Sequence, residues 1–177
     1  SILDVGGGVQ PVSLYIKKYC NIQIRSSVIE TAAYTKKLNA IISKKINFIK
    51  YFSDLKSLDS QSFDLVYFGS VIQYVDKFEN LLRNILQQKP KYLYFSGVNL
   101  YLKNISNYVI CKQFNVFPQI NYCYFFNFDY LKNLVCSNGY ELLYFSENPN
   151  SNINYSHINH SLSDSCQYSD LFFKIKD

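Results

Sequence analysis

The sequence of 177 residues contains no methionine and no tryptophan, and it has no apolar run of the 18 or more residues that a membrane-spanning helix needs. Its net charge is only +5, and the lysines are scattered without a run of five basic residues. Because a nucleic-acid-binding protein concentrates positive charge on one face, this scatter argues against a nucleic acid as the main partner. The composition therefore predicts neither a membrane span nor a nucleic-acid interface.

Cysteine is present but shows no metal-binding or disulfide pattern. The five cysteines are an odd number and include no Cys-x-x-Cys pair, which disfavours a disulfide framework and a zinc knuckle. We therefore expect free thiols and a cytoplasmic protein. Residues 1–10 lack the basic start of a signal peptide. Because no methionine precedes a strand that begins at Ile2, we also expect that an N-terminal segment is missing.

Strand-like and helix-like segments alternate along the chain, a pattern typical of βαβ units and a parallel sheet. Hydrophobic residues make up 48% of the chain, enough for the core of one domain over residues 1–177. The predicted strands are 2–5, 22–30, 46–52, 63–71, 92–96, 140–146 and 170–176, and the predicted helices are 11–19, 31–43, 76–88 and 128–137. Residues 98–126 are predicted to be loops with short elements, and residues 148–167 a long loop. We expect a doubly wound α/β sheet of about seven strands with helices on both faces, mostly parallel and ending in an antiparallel pair.

The stretch ILDVGGGVQP, residues 2–11, is a strand that ends in three glycines and leads into a helix. Glycines let a ligand approach the backbone, and the helix N-terminus supplies N–H groups. No Gly-Lys-Ser/Thr follows, which excludes a P-loop. Pro11 stands where the dinucleotide motif G-x-G-x-x-G has its third glycine, which argues against NAD and FAD. Dinucleotides, nucleoside triphosphates and S-adenosylmethionine all bind at such turns, and the sequence favours S-adenosylmethionine.

Glu30 ends the apolar strand SVIE, 22 residues after Gly8. This spacing is close to the roughly 20 residues expected for an acid that holds a ribose. The alternative is an ordinary acid at the start of the next helix, stabilised by the helix dipole.

Three stretches resemble class I S-adenosylmethionine-dependent methyltransferases, which have a Rossmann-like fold. LDVGGG resembles their first motif, and VIE resembles their second-strand acid. FDLVYFGSVIQYVDKFENLL (residues 63–82) resembles their fourth strand and the helix that follows it. A second resemblance is to methyltransferases encoded with bacterial surface-polysaccharide genes. It lies in SVIQYVDKFENLL, in PKYLYFSGV and in the segment at residues 117–147. Members of that group carry a helical segment before the first motif. The chain departs from the family at Gln10, where a third small residue is usual.

The resemblance implies a cofactor site and an acceptor site. At the cofactor it places Asp4, Gly6, Gly7 and Gly8 at the methionine end, Glu30 at the ribose, Phe52 and Ser53 at the adenine, and Gly69, Ser70 and Val71 near the sulfonium. Gln73 and Tyr74 would face the acceptor. In YCYFF, residues 122–126, Tyr122 and Tyr124 are either core packing or a wall of the acceptor site.

An alcohol acceptor also needs a base that takes its proton. The only histidines, His157 and His160, are candidates, and the alternative is that they are exposed loop residues. Asp76 and Asp129 are candidates by position alone. No metal site is predicted, because no further ligands accompany the histidines.

These features predict a methyltransferase that uses S-adenosylmethionine, releases S-adenosylhomocysteine and methylates a small molecule or glycan. The resemblance implies O-methylation in surface-polysaccharide biosynthesis. One alternative is a non-catalytic relative that serves as a binding or interaction domain. The other is a dinucleotide-dependent oxidoreductase, against which Pro11 argues.

Overall fold

The computed structural model describes residues 1–42, 46–58, 61–116, 118–147 and 165–176. Within these ranges the chain forms nine strands and four α-helices. They fall into two compact units, one of residues 1–69 and 79–94, the other of residues 70–78 and 95–177. No helix of the described residues is long and apolar enough to cross a membrane.

The first unit is a parallel sheet with three helices. Its strands are β1 (Ile2–Val5), β2 (Ser26–Ile29), β3 (Ile49–Phe52), β4 (Leu65–Gly69) and the beginning of β5 (Tyr92–Tyr101), in the order β3-β2-β1-β4-β5. Its helices are α1 (Val12–Cys20), α2 (Ala32–Ile41) and most of α3 (Phe78–Gln87). The pairings of β1 with β2, β1 with β4 and β2 with β3 are all parallel.

Strand β1 lies at the centre of this sheet, between β2 and β4, and all four of its residues are buried. A parallel strand covered on both faces has a continuous apolar sequence, and Asp4 is the one polar exception in β1. In the register of the sheet, Asp4 lies between Val28 of β2 and Tyr67 of β4. The carboxylate is therefore carried into the interior by the strand around it.

Helix α1 follows the glycine turn directly. Pro11, at the N-cap position, has an extended backbone and lacks the N–H that a helix start would leave without a partner. The helix ends at Asn21, whose backbone is left-handed. The first turn of this short helix lies at the carboxyl end of β1.

The second unit contains the rest of β5 and four further strands: β6 (Tyr108–Val116), β7 (Gln119–Asn127), β8 (Tyr140–Glu147) and β9 (Cys166–Ile175). Strands β6 and β7 form an antiparallel hairpin, and β7 runs parallel to β5. Strand β9 pairs with both β5 and β8. Helix α4 (Phe128–Cys136) begins at Asn127, whose side chain accepts the backbone N–H of Tyr130 at 2.9 Å.

The doubly wound, mostly parallel α/β prediction is confirmed, including the antiparallel pair formed by β8 and β9. The strand count differs, since residues 98–126 were expected to be loops with short elements. Strand β5 instead continues to Tyr101, and residues 108–116 and 119–127 pair as β6 and β7. Apolar residues occupy both faces of this hairpin, so the alternation that marks a half-buried strand is hidden.

Candidate functional site

The carboxylate of Asp4 is buried at the carboxyl end of β1, with 1% of the residue exposed. Its Oδ2 accepts the backbone N–H of Val12, the first residue of α1, at 2.7 Å. Its Oδ1 is buried and has no hydrogen-bond partner among the described residues. Burial raises the pKa of Asp4 from 3.8 to about 6; the Val12 hydrogen bond lowers it, and the nearby charge of Glu30 raises it further. This carboxylate therefore has one oxygen ready for a donor.

Gly7 lies directly against this carboxylate. A Cβ placed at Gly7 would come within 2.6 Å of both Cγ and Oδ2 of Asp4. Such contacts are far inside van der Waals distance, so any side chain here would displace the acid. The middle glycine of the turn is therefore required by the position of Asp4.

Glu30, at the end of β2, reaches across to the same glycine turn. Its Oε1 accepts the backbone N–H of Gly8 at 2.9 Å, and its Oε2 accepts that of Thr31 at 3.2 Å. The hydroxyl of Tyr51 on β3 donates to the carbonyl of Gly8 at 3.1 Å. A side chain just after β2 and one on β3 thus hold the turn. The Thr31 bond also fits the alternative of a helix-start acid, since Thr31 is the N-cap of α2.

A pocket of about 200 Å³ opens beside the turn. Pockets that enclose a drug-sized ligand hold roughly 300–1,000 Å³, so this one can take only one end of such a molecule. Its lining residues are Asp4, Gly6, Gly7, Gln10, Val12, Tyr15, Tyr67 and Gly69. Four of these, Asp4, Gly6, Gly7 and Gly69, are among the residues expected at the cofactor.

The pocket also contains residues that the sequence analysis missed. Tyr67 lies opposite Asp4 in the sheet, and its ring covers Gly69, where a Cβ would come within 2.7 Å of the ring. Tyr15 donates to Oε1 of Gln10 at 3.1 Å. Residues two apart on a strand share a face, so Tyr67 could have been found from Gly69. Gln10, read as a departure from the family motif, lines the pocket.

Phe52 is the last residue of β3 and Ser53 follows it, and neither lines this pocket. The carbonyl of Phe52 accepts the backbone N–H of Glu30 at 3.0 Å. Ser53 is exposed, and its hydroxyl lies 3.4 Å from Asp54. Their assignment to an adenine ring stays a prediction.

Ser70, Val71, Gln73 and Tyr74 follow Gly69 in the chain and belong to the second unit. Ser70 is exposed, and its hydroxyl is hydrogen-bonded to that of Tyr168. Gln73 is 1% exposed and donates its amide to the carbonyl of Gly97 at 3.1 Å. Tyr74 is 43% exposed and donates to Gln113 at 2.9 Å. Gln73, expected to face an acceptor, is thus placed inside the unit.

The two tyrosines of the aromatic run lie in different surroundings. Tyr122 is 65% exposed. Tyr124 packs edge-on against Phe78, with ring centroids 5.1 Å apart, and stacks with Phe126. Of the two alternatives, core packing fits the half-buried Tyr124, and the exposure of Tyr122 fits a wall for a ligand.

The structure describes two of the four candidate bases. Asp76 and Asp129 are both exposed, and Asp129 lies 4.0 Å from Lys132. His157 and His160 lie outside the described residues. Within the described part of the chain, histidine, cysteine and acidic side chains form no group of three that could hold a metal.

No protein-family model matches the sequence, and no curated protein is similar enough in sequence to match it. Solved structures do match. A protein assigned as an S-adenosylmethionine-dependent methyltransferase from Listeria monocytogenes has a TM-score of 0.67 at 10% identity, covering 99% of this chain and 91% of its own. The N-terminal domain of EvdMO1, crystallised in the presence of S-adenosylhomocysteine and D-fucose, has a TM-score of 0.61 at 12% identity, covering 99% and 76%. The fold is that of class I methyltransferases.

This methyltransferase fold is not restricted to methyl transfer. The [4+2]-cyclase SpnF matches with a TM-score of 0.66 at 12% identity, over 98% of this chain and 73% of its own. At such identities the likeness concerns the fold alone, and the reaction has to be argued from the residues of the site.

Proposed function

We propose that this protein is an S-adenosylmethionine-dependent methyltransferase. The observation that carries the proposal is the buried Asp4, whose Oδ1 has no partner among the described residues and which lines a glycine-walled pocket at the carboxyl end of β1. Ligands bind at this end of the strands in open α/β sheets. Several solved structures with this fold contain S-adenosylmethionine or S-adenosylhomocysteine, which supports the same cofactor here.

The residues of the pocket fit the methionyl end of this cofactor. That end carries an ammonium group, and Asp4 offers it a carboxylate oxygen with open acceptor capacity. An opposite charge also favours the ionised form of a buried acid, which offsets the desolvation that raises the pKa of Asp4. Gly6, Gly7 and Gly69 line the same pocket as Asp4 and add no side chain that would fill it.

Glu30 fits the ribose. Its two oxygens each accept one backbone N–H, and a carboxylate has about four acceptor positions, so it can still accept hydroxyl groups. Gly8 would complete the turn around the methionyl end. We assign Phe52 and Ser53 to the adenine, and Ser70 and Val71 to the surroundings of the sulfonium.

The cofactor supplies a methyl group that is already activated on a sulfonium. The chain's own contribution is then mainly to orient the acceptor, which can account for a large part of a rate enhancement. We propose a small-molecule or glycan acceptor methylated at oxygen, in surface-polysaccharide biosynthesis. The D-fucose present with EvdMO1 and the resemblance of residues 117–147 support a sugar. The five free thiols support a cytoplasmic location.

A calorimetric titration tests the cofactor. We expect S-adenosylmethionine and S-adenosylhomocysteine to bind and NAD not to bind. Glu30→Ala should weaken binding at least tenfold, about 1.4 kcal/mol, because the ribose loses its acceptor. Glu141→Ala, which removes an exposed acid on β8, is the matched control and should leave affinity unchanged. Binding of NAD alone, or equal affinity of both variants, would contradict the proposal.

An activity assay distinguishes an enzyme from the alternative of a non-catalytic binding domain. The protein should form S-adenosylhomocysteine when given S-adenosylmethionine and a panel of free and nucleotide-linked sugars, measured by mass spectrometry together with the methylated product. Tight cofactor binding without product from any acceptor class would favour a binding domain.

A further inference from the structure

The segment at residues 70–74 is held by hydrogen bonds to three strands of the second unit. The Ser70 N–H donates to the carbonyl of Ser96 on β5 at 2.7 Å, and the Ser70 hydroxyl pairs with Tyr168 on β9. Gln73 binds β5 through Gly97, and Tyr74 binds Gln113 on β6. Four bonds within five residues leave this segment little freedom to move.

Ser70 itself has an unusual backbone. Its φ is 53°, in the left-handed region that few residues other than glycine adopt. Such conformations persist where the surroundings enforce them, and they cluster at ligand and active sites. Here the bonds to Ser96 and Tyr168 hold the residue, and its strained backbone points the hydroxyl at Tyr168.

The hydroxyl pair of Ser70 and Tyr168 rests on the backbone of Gly97. A Cβ at Gly97 would contact the Ser70 hydroxyl and lie 2.5 Å from that of Tyr168. Gly97 has a φ of +64°, donates its N–H to Asp170 at 2.7 Å and accepts from Gln73 through its carbonyl. Only glycine allows two hydroxyls to lie this close to the strand.

The pair is accessible and uncharged. Ser70 is exposed and Tyr168 half-buried, so a ligand can reach both. Two hydroxyls hold two donors and four acceptor positions, of which their mutual bond uses one each. The nearby Asp170 directs its Oδ1 to the N–H of Gly97. A neutral group that both donates and accepts, such as an alcohol, is the complement of this arrangement.

We propose that Ser70 and Tyr168 form an acceptor-binding pair that holds and orients a hydroxyl group of a neutral, polyhydroxylated acceptor such as a sugar ring. This inference rests on the proposed methyltransferase function. It assigns to Tyr168, on the last strand, a part in acceptor recognition, and it makes Gln73 a positioning residue that acts through Gly97.

Sugar binding in the presence of saturating S-adenosylhomocysteine tests the pair, with D-fucose and D-glucose as probes and ligand-observed NMR as the readout. Tyr168→Phe and Ser70→Ala should each raise the sugar dissociation constant about three- to tenfold, the effect of losing one neutral hydrogen bond. The double variant should lose less than the product of the two, because the hydroxyls are coupled. Tyr144→Phe, which removes an exposed hydroxyl on β8, should change nothing.

A merely structural role would lower thermal stability or the affinity for S-adenosylhomocysteine, and we expect neither to change in Tyr168→Phe. If Ser70→Ala fails to fold, Ser70→Gly removes the hydroxyl while tolerating the positive φ. Binding of S-adenosylhomocysteine with no binding of either sugar, or with equal sugar affinity in Tyr168→Phe and Tyr144→Phe, would overturn the pair alone. Failure of the wild type to bind S-adenosylhomocysteine would overturn the proposed function, and with it this inference.

Discussion

The buried acid Asp4 should make the stability of this protein depend on pH in the direction opposite to that of most acids. Its pKa is about 6 in the folded chain, against 3.8 when exposed. Above pH 6 Asp4 is ionised in both the folded and the unfolded chain, and only the folded chain carries the free-energy cost of a buried charge. As the pH falls from 6 towards 3.8, the folded state takes up a proton first, so stability rises.

The magnitude follows from the shift of about two pKa units. At about 1.36 kcal/mol per unit, the ionised Asp4 costs the folded state roughly 3 kcal/mol at pH 8. The same relation leaves a cost of only about 0.5 kcal/mol at pH 4. Asp4→Asn removes the titration, and whatever else the amide changes is independent of pH. The difference in unfolding free energy between variant and wild type should therefore grow by roughly 2 kcal/mol from pH 4 to pH 8.

Urea denaturation of both proteins at unit steps of pH measures this difference. Asp54→Asn is the control, because the pH dependence of stability that it removes has the opposite sign. The backbone N–H of Ser57 and then its hydroxyl bind Asp54 and lower the pKa of that exposed carboxyl, so its stabilisation is lost as the pH falls. A difference between Asp4→Asn and wild type that stays level across this range would refute the account of Asp4.

Three further predictions concern the charge of Asp4, the space at Gly7 and the N-cap of α4. If Asp4 pairs with the ammonium of S-adenosylhomocysteine, the affinity measured by calorimetry should fall below pH 6, by up to about tenfold per pH unit, and a pH-independent affinity would contradict that pairing. Gly7→Ala should destabilise the fold by about 1–3 kcal/mol in urea, because its Cβ would lie 2.6 Å from the Asp4 carboxylate. Asn127→Ala should lower the free energy of unfolding by about 1–2 kcal/mol, because α4 loses its N-cap bond to Tyr130. An unchanged denaturation midpoint would show that this cap does not stabilise the fold.

Local sequence patterns predicted the first unit well. Strand β1 has the predicted limits, because a short, mostly apolar run before a glycine turn has few other interpretations. The spacing of Glu30 after Gly8 indicated an acid that holds a ribose, and that role stays a prediction. The structure adds a 2.9 Å hydrogen bond from the Gly8 N–H to this carboxylate. Boundaries were less accurate: β2 starts at Ser26 rather than residue 22.

The β6–β7 hairpin could not be predicted in the same way. Ile110 is 59% exposed and Phe114 is 64% exposed, so apolar residues occupy its outward positions and the period of two disappears. The pairing of Ser70 with Tyr168 was missed for a different reason. It depends on the register of strands far apart in the chain, which no local pattern encodes.

The hydrogen bonds that hold residues 70–74 have a consequence for synthesis on the ribosome. Ser70 and Tyr168 are separated by 98 positions, and Gly97 and Asp170 by 73. During translation, Ser70 and Gly97 therefore emerge well before the strand that anchors them. A nascent chain, or one shortened by a premature stop before Cys166, would carry Asp4 and Glu30 yet lack the partner that fixes Ser70. Such a product retains the residues assigned to the cofactor, whereas the proposed acceptor pair keeps Ser70 and loses Tyr168.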